Sequence, residues 1–500
     1  VNEFAVRLVP AVFGILGLLV AWWLGTLCFG HSAGRWAPPV LGSSLAYFVL
    51  ARIPIIDMMF SVLLASALTA WLAGEHQSGA RRYRWWLASG VLLGASLLAK
   101  GLVAPVLFAT IVIAYLLWAR KPRLIIPGVG LPVALSVLIF LPWALAAQAA
   151  YPGFFHFFII VQHVQRFLGA RPEHVEPFYF FILLLPLMFG LWSLHWYGML
   201  KAVKPVWRRS SSRLQADGVF LGIWFAVILL FFSASTCKLL PYILPAWWPL
   251  AVVTAAWLHR RFCAEQPRRR LDVPTLIGAI CVALFVVAAI VLAGRQQKVP
   301  PVALQSPLLV LGGAGLISFG LLLFTSLRSN RHWNLAQLTI AKLILIASLL
   351  PAVMAVCSVE HMNDILPAQL KNLPASSPWV LAQYRSYNQS FSFYTGHRVV
   401  LIDAVDELVL GPAQPDGAQW FRKGEQAIEE LSAKGPLALV TRVEDKHDIA
   451  RRHHLRVWNS NQDRAMLVNE TGWRLLHPSL MNRAPAATLK PAGVYANASR

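Results

Sequence analysis

A polytopic α-helical membrane protein with a small C-terminal α/β domain is the fold this sequence predicts, on three observations. Of its 500 residues, 57% are hydrophobic and only 13% charged, with a mean hydropathy of +0.58; a soluble surface demands about a quarter charged residues. The apolar residues gather in runs of about 20, long enough to cross a bilayer as helices. After residue 357 the runs stop and short alternating segments replace them.

Twelve spans are expected in order, near 8–29, 37–53, 56–74, 84–99, 102–119, 124–147, 177–199, 217–235, 239–258, 273–294, 306–326 and 335–357. Several enclose Pro or Gly, which packed membrane helices tolerate. Loops after odd-numbered spans hold basic clusters such as Arg81, Arg82 and Arg84, or Arg268, Arg269 and Arg270. Loops after even-numbered spans hold scattered cations such as Arg52, Lys100 and Lys238. The positive-inside rule makes the first set cytoplasmic and the second external. The formal charge of +22 and the pI near 10.3 are then topogenic; no nucleic-acid motif accompanies them, and no nucleic-acid partner is expected. The five cysteines are scattered without a CxxC pair, which argues against a disulfide framework or a cysteine metal site.

The membrane domain is thus expected over 1–357. An external α/β domain follows at 358–478, with strand-like Trp379–Ala382, Val399–Ile402 and Leu437–Val443 and a helical pattern over Glu425–Lys434. Residues 479–500 form a Pro/Ala-rich tail of disordered composition. The chain opens on Val1 and enters an apolar span almost at once, without the n-region of a signal peptide. A missing N-terminal segment is expected from this.

Ionisable residues at membrane depth are costly and mark function, so the external face is where chemistry is sought. Tyr151–Phe180 concentrates His156, His163, Arg166, Arg171 and His174 between two spans. His163 and Arg166, three apart, share a helix face; a guanidinium suits a phosphate and an imidazole suits a metal or a proton. A basic amphipathic surface helix explains that spacing equally well. Asp57 is one of few external acids and a candidate for acid/base work, although Arg52, five residues before it in ARIPIID, is in reach as a local ion-pair partner. Lys100 ends a span in LLAKG, where snorkelling is the ordinary explanation. Lys238 and Tyr242, four apart in CKLLPYILP, add donors at headgroup depth between two helix-breaking prolines, the set a lipid phosphate requires. Walker A, GxSxG and HExxH patterns are absent, which speaks against energy from a nucleotide.

At these residues the chain resembles the GT-C class of polyprenyl-phosphate-sugar-dependent glycosyltransferases, particularly the bacterial aminoarabinose transferases of lipid A and their protein O-mannosyltransferase relatives. The matching segments are NEFAVRL, RIPIIDMMF, LLAKG, LPW, QHVQRF with EPFYFF, KLLPYILP and YNQSFSFYTGHRVVLID, in the family's order. The resemblance implies thirteen spans in the bacterial inner membrane and a periplasmic active site. It implies a polyprenyl-phosphate sugar donor, a lipid A or protein Ser/Thr acceptor, and a divalent metal, zinc or magnesium. By carry-over Asp57 is an acid of the site and His163 a metal contact. Lys100, Arg166, Lys238 and Tyr242 contact phosphate, and Arg52 is counted with them as a phosphate-binding candidate. Relatives begin with a further span and a long acid-bearing loop before NEFAVRL, so a chain of twelve spans that opens at NEFAVRL is expected to be impaired. Two other readings remain at this stage. One is a transporter or flippase of lipid-linked anions, which the lack of an internal repeat disfavours. The other is a non-catalytic remnant whose aromatic-rich YRSYNQSFSFYTGHR binds glycans.

Overall fold

The computed structural model describes residues 2–165, 167, 175–203, 212–264, 272–295, 301–327, 331–357, 362–405, 408 and 411–477. By internal contacts the chain divides into two units, Val1–Val353 and Met354–Arg500.

The first unit is helical. Its long helices are α1 (Glu3–Phe29), α2 (Asp57–Glu75), α3 (Gly79–Lys100), α4 (Val103–Trp118), α5 (Leu131–Ala150), α6 (Phe180–Phe189), α7 (Arg213–Ala234), α8 (Trp247–His259), α9 (Val273–Arg295), α10 (Pro301–Leu327) and α11 (Arg331–Cys357). Among the described residues nine helices are long and apolar enough to cross a membrane, against twelve expected, and the three differences have local causes. The stretch 37–53 is broken into Ala37–Gly42 and Leu45–Leu50. There Ser43 Oγ donates to Pro39 O (2.5 Å) and Ser44 Oγ to Leu41 O (2.7 Å), offering the backbone an alternative to continued helix. Helix α3 has 22 residues, but Arg81, Arg82, Arg84 and Lys100 dilute its apolar character. Helix α4, at 16 residues, falls just under the length that spans a bilayer untilted.

Helix α2 is the buried post of this unit. Its Trp71 stacks on Trp86 of α3 (ring centroids 6.1 Å apart) and on Phe220 of α7 (5.6 Å). Hydrocarbon has no water to satisfy an indole N–H, so carbonyls near glycines and prolines do so instead. Trp71 Nε1 donates to Gly128 O (2.8 Å), Trp224 Nε1 to Pro245 O (3.0 Å) and Trp248 Nε1 to Gly17 O (2.9 Å). At the C-terminal end of α2, Glu75 pairs with Lys121, and the next residue, His76, places Nε2 2.7 Å from Asp217 Oδ1 of α7.

The second unit is α/β. Strands β1 (Val380–Tyr384), β2 (Val400–Ile402), β3 (Phe421–Arg422), β4 (Leu437–Arg442), β5 (Arg456–Ser460) and β6 (Arg464–Val468) form one sheet in the order β3-β2-β1-β4-β6-β5. The first four run parallel; β6 is antiparallel to β4 and β5. Helix α12 (Gln389–Thr395) sets Phe391 on the face of Leu381, Ala438 and Val440. Helices α13 (Gln426–Lys434) and α14 (Lys446–Arg452) set Ile428, Leu431 and Ile449 on the opposite face, against Ala382 and Leu439. Sheets covered on both faces have near-continuous apolar strands, which is how LALV of β4 reads. Because β1 leads to a helix on one face and its neighbour β4 to a helix on the other, the gap between their carboxyl ends is a topological switch point. The expected tail, 479–500, lies outside the described residues.

Glu425, just before α13, gathers the donors of this unit. Tyr384 Oη donates to it (2.8 Å), His453 Nε2 lies 3.2 Å away, and Arg452 pairs with it. The Tyr384 bond, helped by His453 and Arg452, outweighs burial and holds the Glu425 carboxyl below the usual carboxylate range. Burial, with the same bond, pushes Tyr384 up to about 12. A depressed folded-state pKa gives stability that is present above the unfolded value and lost as pH falls through the folded one. Glu425→Gln is therefore expected to cost ~1 kcal/mol at neutral pH, as loss of one charged hydrogen-bond acceptor does, and to remove this part of the acid sensitivity. Hydrogen exchange of β1 and α13 at neutral and acid pH checks it; a variant as acid-sensitive as the parent contradicts the assignment.

Candidate functional site

Asp57 opens α2 and Lys100 closes α3, so successive helices bring together residues 43 apart in the chain. Their side chains form an ion pair, with 12% and 16% of the respective side-chain surfaces exposed. Lys100 Nζ also lies 4.4 Å from the centroid of the Tyr242 ring and 5.2 Å from that of Phe60, on ring faces that attract a cation. Tyr242 is presented by the 3₁₀ turn Leu240–Ala246, which Pro241 and Pro245 keep from becoming regular helix. Phe60 follows Asp57 by three residues on α2 and so shares its face. The result is an ammonium held between a carboxylate and two rings at the junction of three elements.

Two expectations are corrected here. Lys100 does not snorkel, because its charge is held by Asp57. Asp57 in turn does not pair with Arg52: that exposed guanidinium turns back over the ring of Phe48 (3.6 Å) and donates to Phe48 O (2.5 Å), in the helix just before it.

Lys238 is also placed differently from the phosphate contact expected. It is only 4% exposed, and Nζ donates to Glu176 O (2.8 Å) and to Ser235 O. Around it Val175 bridges to Cys237, and Glu176 N donates to Thr236 O (3.4 Å). The lysine thus ties the segment entering α6 to the turn that precedes Tyr242. A buried ammonium needs acceptors, and here carbonyls supply them.

His163 lies in the π-helix His156–Gln165. Its Nε2 accepts the N–H of Leu102 (3.0 Å), so Nδ1 is the protonated nitrogen and donates to Phe158 O (2.5 Å). Both ring nitrogens are thereby engaged, and neither presents a lone pair to an ion. Among the described residues no group of three or more His, Cys, Asp or Glu is placed to hold a metal. No step is therefore routed through the expected divalent metal. Arg166, the partner expected three residues on, lies outside the described residues.

Phe60 and Gly101 belong to this site and were not singled out from sequence. Gly101 has φ +99°, and a Cβ there would lie 2.6 Å from His163 Nε2. Only glycine lets the imidazole reach the N–H of Leu102. Gly101→Ala is expected to cost ~1–3 kcal/mol, from the strain of a left-handed alanine and the displaced ring. Thermal unfolding in detergent checks this; a melting temperature equal to the parent's would show that the turn relaxes freely.

A family model described as dolichyl-phosphate-mannose-protein mannosyltransferase matches residues 1–145. The chain is 31% identical, over 438 residues, to an undecaprenyl phosphate-α-4-amino-4-deoxy-L-arabinose arabinosyl transferase of Pseudomonas aeruginosa (strain UCBPP-PA14), covering 84% of this chain and 75% of that protein. It is 28% identical over 465 residues to a protein of the same name, numbered 2, from Pseudomonas fluorescens (strain Pf0-1), covering 90% and 81%. The crystal structure of ArnT from Cupriavidus metallidurans bound to undecaprenyl phosphate superposes with a TM-score of 0.80 at 22% identity, covering 94% of this chain and 84% of that one. That likeness shows a shared fold.

Proposed function

The chain belongs to the undecaprenyl phosphate-α-4-amino-4-deoxy-L-arabinose arabinosyl transferases, multi-pass membrane glycosyltransferases that take sugar from a polyprenyl-phosphate carrier, and from that premise we propose that it transfers aminoarabinose to a lipid A phosphate at the periplasmic face of the inner membrane. The observation that carries the site assignment is the Asp57–Lys100 pair set against Tyr242 and Phe60. The donor phosphate competes with Asp57 for the Lys100 ammonium, Tyr242 adds a hydroxyl donor, and Arg166 keeps the phosphate contact that the resemblance assigns it. In the displacement an acceptor oxygen forms a bond to the anomeric carbon. The bond from that carbon to the phosphate oxygen breaks, with its electrons leaving on the carrier phosphate, and configuration inverts. Lys100 stabilises the charge that develops there. Asp57, released from its partner, positions the acceptor.

Lipid A is favoured over a Ser/Thr hydroxyl on chemical grounds. A phosphate oxygen attacks already ionised and needs no strong base, and among the described residues of this cluster Asp57 is the one carboxylate, its task being to position the acceptor. The periplasmic assignment rests on the alternation of basic loops.

Membranes from cells expressing the protein, supplied with undecaprenyl phosphate-aminoarabinose and offered lipid A or a Ser/Thr peptide, test the proposal by mass spectrometry. Aminoarabinose on lipid A alone is the expected result. Transfer to the peptide alone overturns the acceptor, and transfer to neither overturns the function.

A further inference from the structure

We propose that the second unit carries a phosphate-binding site of its own at the switch point between β1 and β4. In open α/β sheets, ligands bind outside the carboxyl ends of the strands where neighbouring connections leave to opposite faces. The strand registers pair Gln383 with Val440 and Arg442 with Arg464. Arg442 closes β4 and faces Arg464 of β6, while Arg385 directly follows β1 with a positive φ, so the three arginines stand at the same end of the sheet.

Like charges that face each other across strands, as Arg442 and Arg464 do, repel one another unless an anion lies near them. Arg464 Nε donates to Asp463 (2.8 Å), yet its Nη1 is buried with no acceptor. Arg385 rests its guanidinium on the Tyr384 ring (4.9 Å). Arg385 and Arg442 take part in no ion pair among the described residues, and the nearby Glu444 and Asp445 pair with neither. Two hydroxyls at the same strand ends, Ser386 Oγ and Thr441 Oγ1, are also buried without partners, and Thr441 is 0% exposed. Unmatched donors of this kind, arranged as planar forks, suit the oxygens of a phosphate. The phosphate comes from a small soluble ester or from a lipid headgroup.

The full chain in detergent decides between these sources by ³¹P line broadening with inorganic phosphate and, separately, with dihexanoyl phosphatidic acid. All measurements use the Lys100→Gln background, which removes one phosphate-binding cation of the membrane unit, and loss of binding on substituting Arg442 or Arg385 separates this site from the transferase site. Saturable binding of either probe is expected, with the probe that binds naming the source. Arg442→Gln or Arg385→Gln should weaken it at least about tenfold, as loss of a charge-assisted pair does, and Arg442→Lys should fall between. Arg474→Gln, which alters a guanidinium already paired with Glu470, should leave it unchanged. No saturable binding of either probe, or binding indifferent to both Arg442→Gln and Arg385→Gln, overturns the site.

Discussion

Lys100→Gln is expected to lower sugar transfer by about two orders of magnitude or more, equivalent to ~3 kcal/mol at the transition state. The loss has two physical parts. The ammonium that meets the leaving phosphate is gone, and Asp57, with 12% of its side chain exposed, loses its ion-pair partner. Asp57→Asn is expected to reduce transfer as well, because the ammonium loses the partner that orients it. Groups that act as a unit are not additive, so the double variant Asp57→Asn/Lys100→Gln should be no worse than the poorer single one. Initial rates for the three proteins in one membrane preparation measure this cycle. Rates that multiply, or a Lys100→Gln rate near the parent's, would separate the pair from the chemistry.

Gly17→Val is expected to damage the fold severely, at ~3 kcal/mol or more. Helix α1 approaches its neighbours at that position with no side chain between. A Cβ would overlap Tyr47 Oη and lie 2.9 Å from both Trp248 Cζ2 and Val62 Cγ2. Relieving the overlap moves Tyr47 off Gly14 O, where it donates at 2.5 Å, and Trp248 off Gly17 O. Overpacking adds to the cost of leaving buried donors unmatched. Gly312→Ala on α10, where nothing lies within 4 Å of the added carbon, is the control and should be neutral or slightly stabilising. Thermal unfolding in detergent compares them, and Gly17→Val melting with the control would refute the close approach.

Much of the fold was legible because hydrocarbon imposes strict requirements on composition. Runs of apolar residues marked most helices, and β1, β2, β4 and α13 overlie the segments read from alternation and helical period. What was lost depended on local competition that composition does not register, as where the Ser43 and Ser44 hydroxyls interrupt 37–53. At the site, residue type identified donors but not their acceptors. Arg52 was the nearby cation for Asp57, while the partner it takes is 43 residues from it. Lys238 has the chemistry to hold a phosphate, yet two carbonyls claim it. His163 was singled out for the metal or proton chemistry of an imidazole, but its two hydrogen bonds lead to backbone atoms that a sequence does not distinguish from any others.

Helix α2 has 19 residues, about 28 Å at 1.5 Å per residue, and ionic contacts hold it at both ends, through Lys100 at the first residue and Lys121 at the last. Such a helix cannot slide along its axis without separating one pair or the other, so it acts as a gauge of fixed length within the bundle. In a bilayer of different thickness the mismatch must then be taken up by tilt of the surrounding helices or by deformation of the lipid, while the carboxylate of Asp57 stays at a constant depth relative to the protein around it.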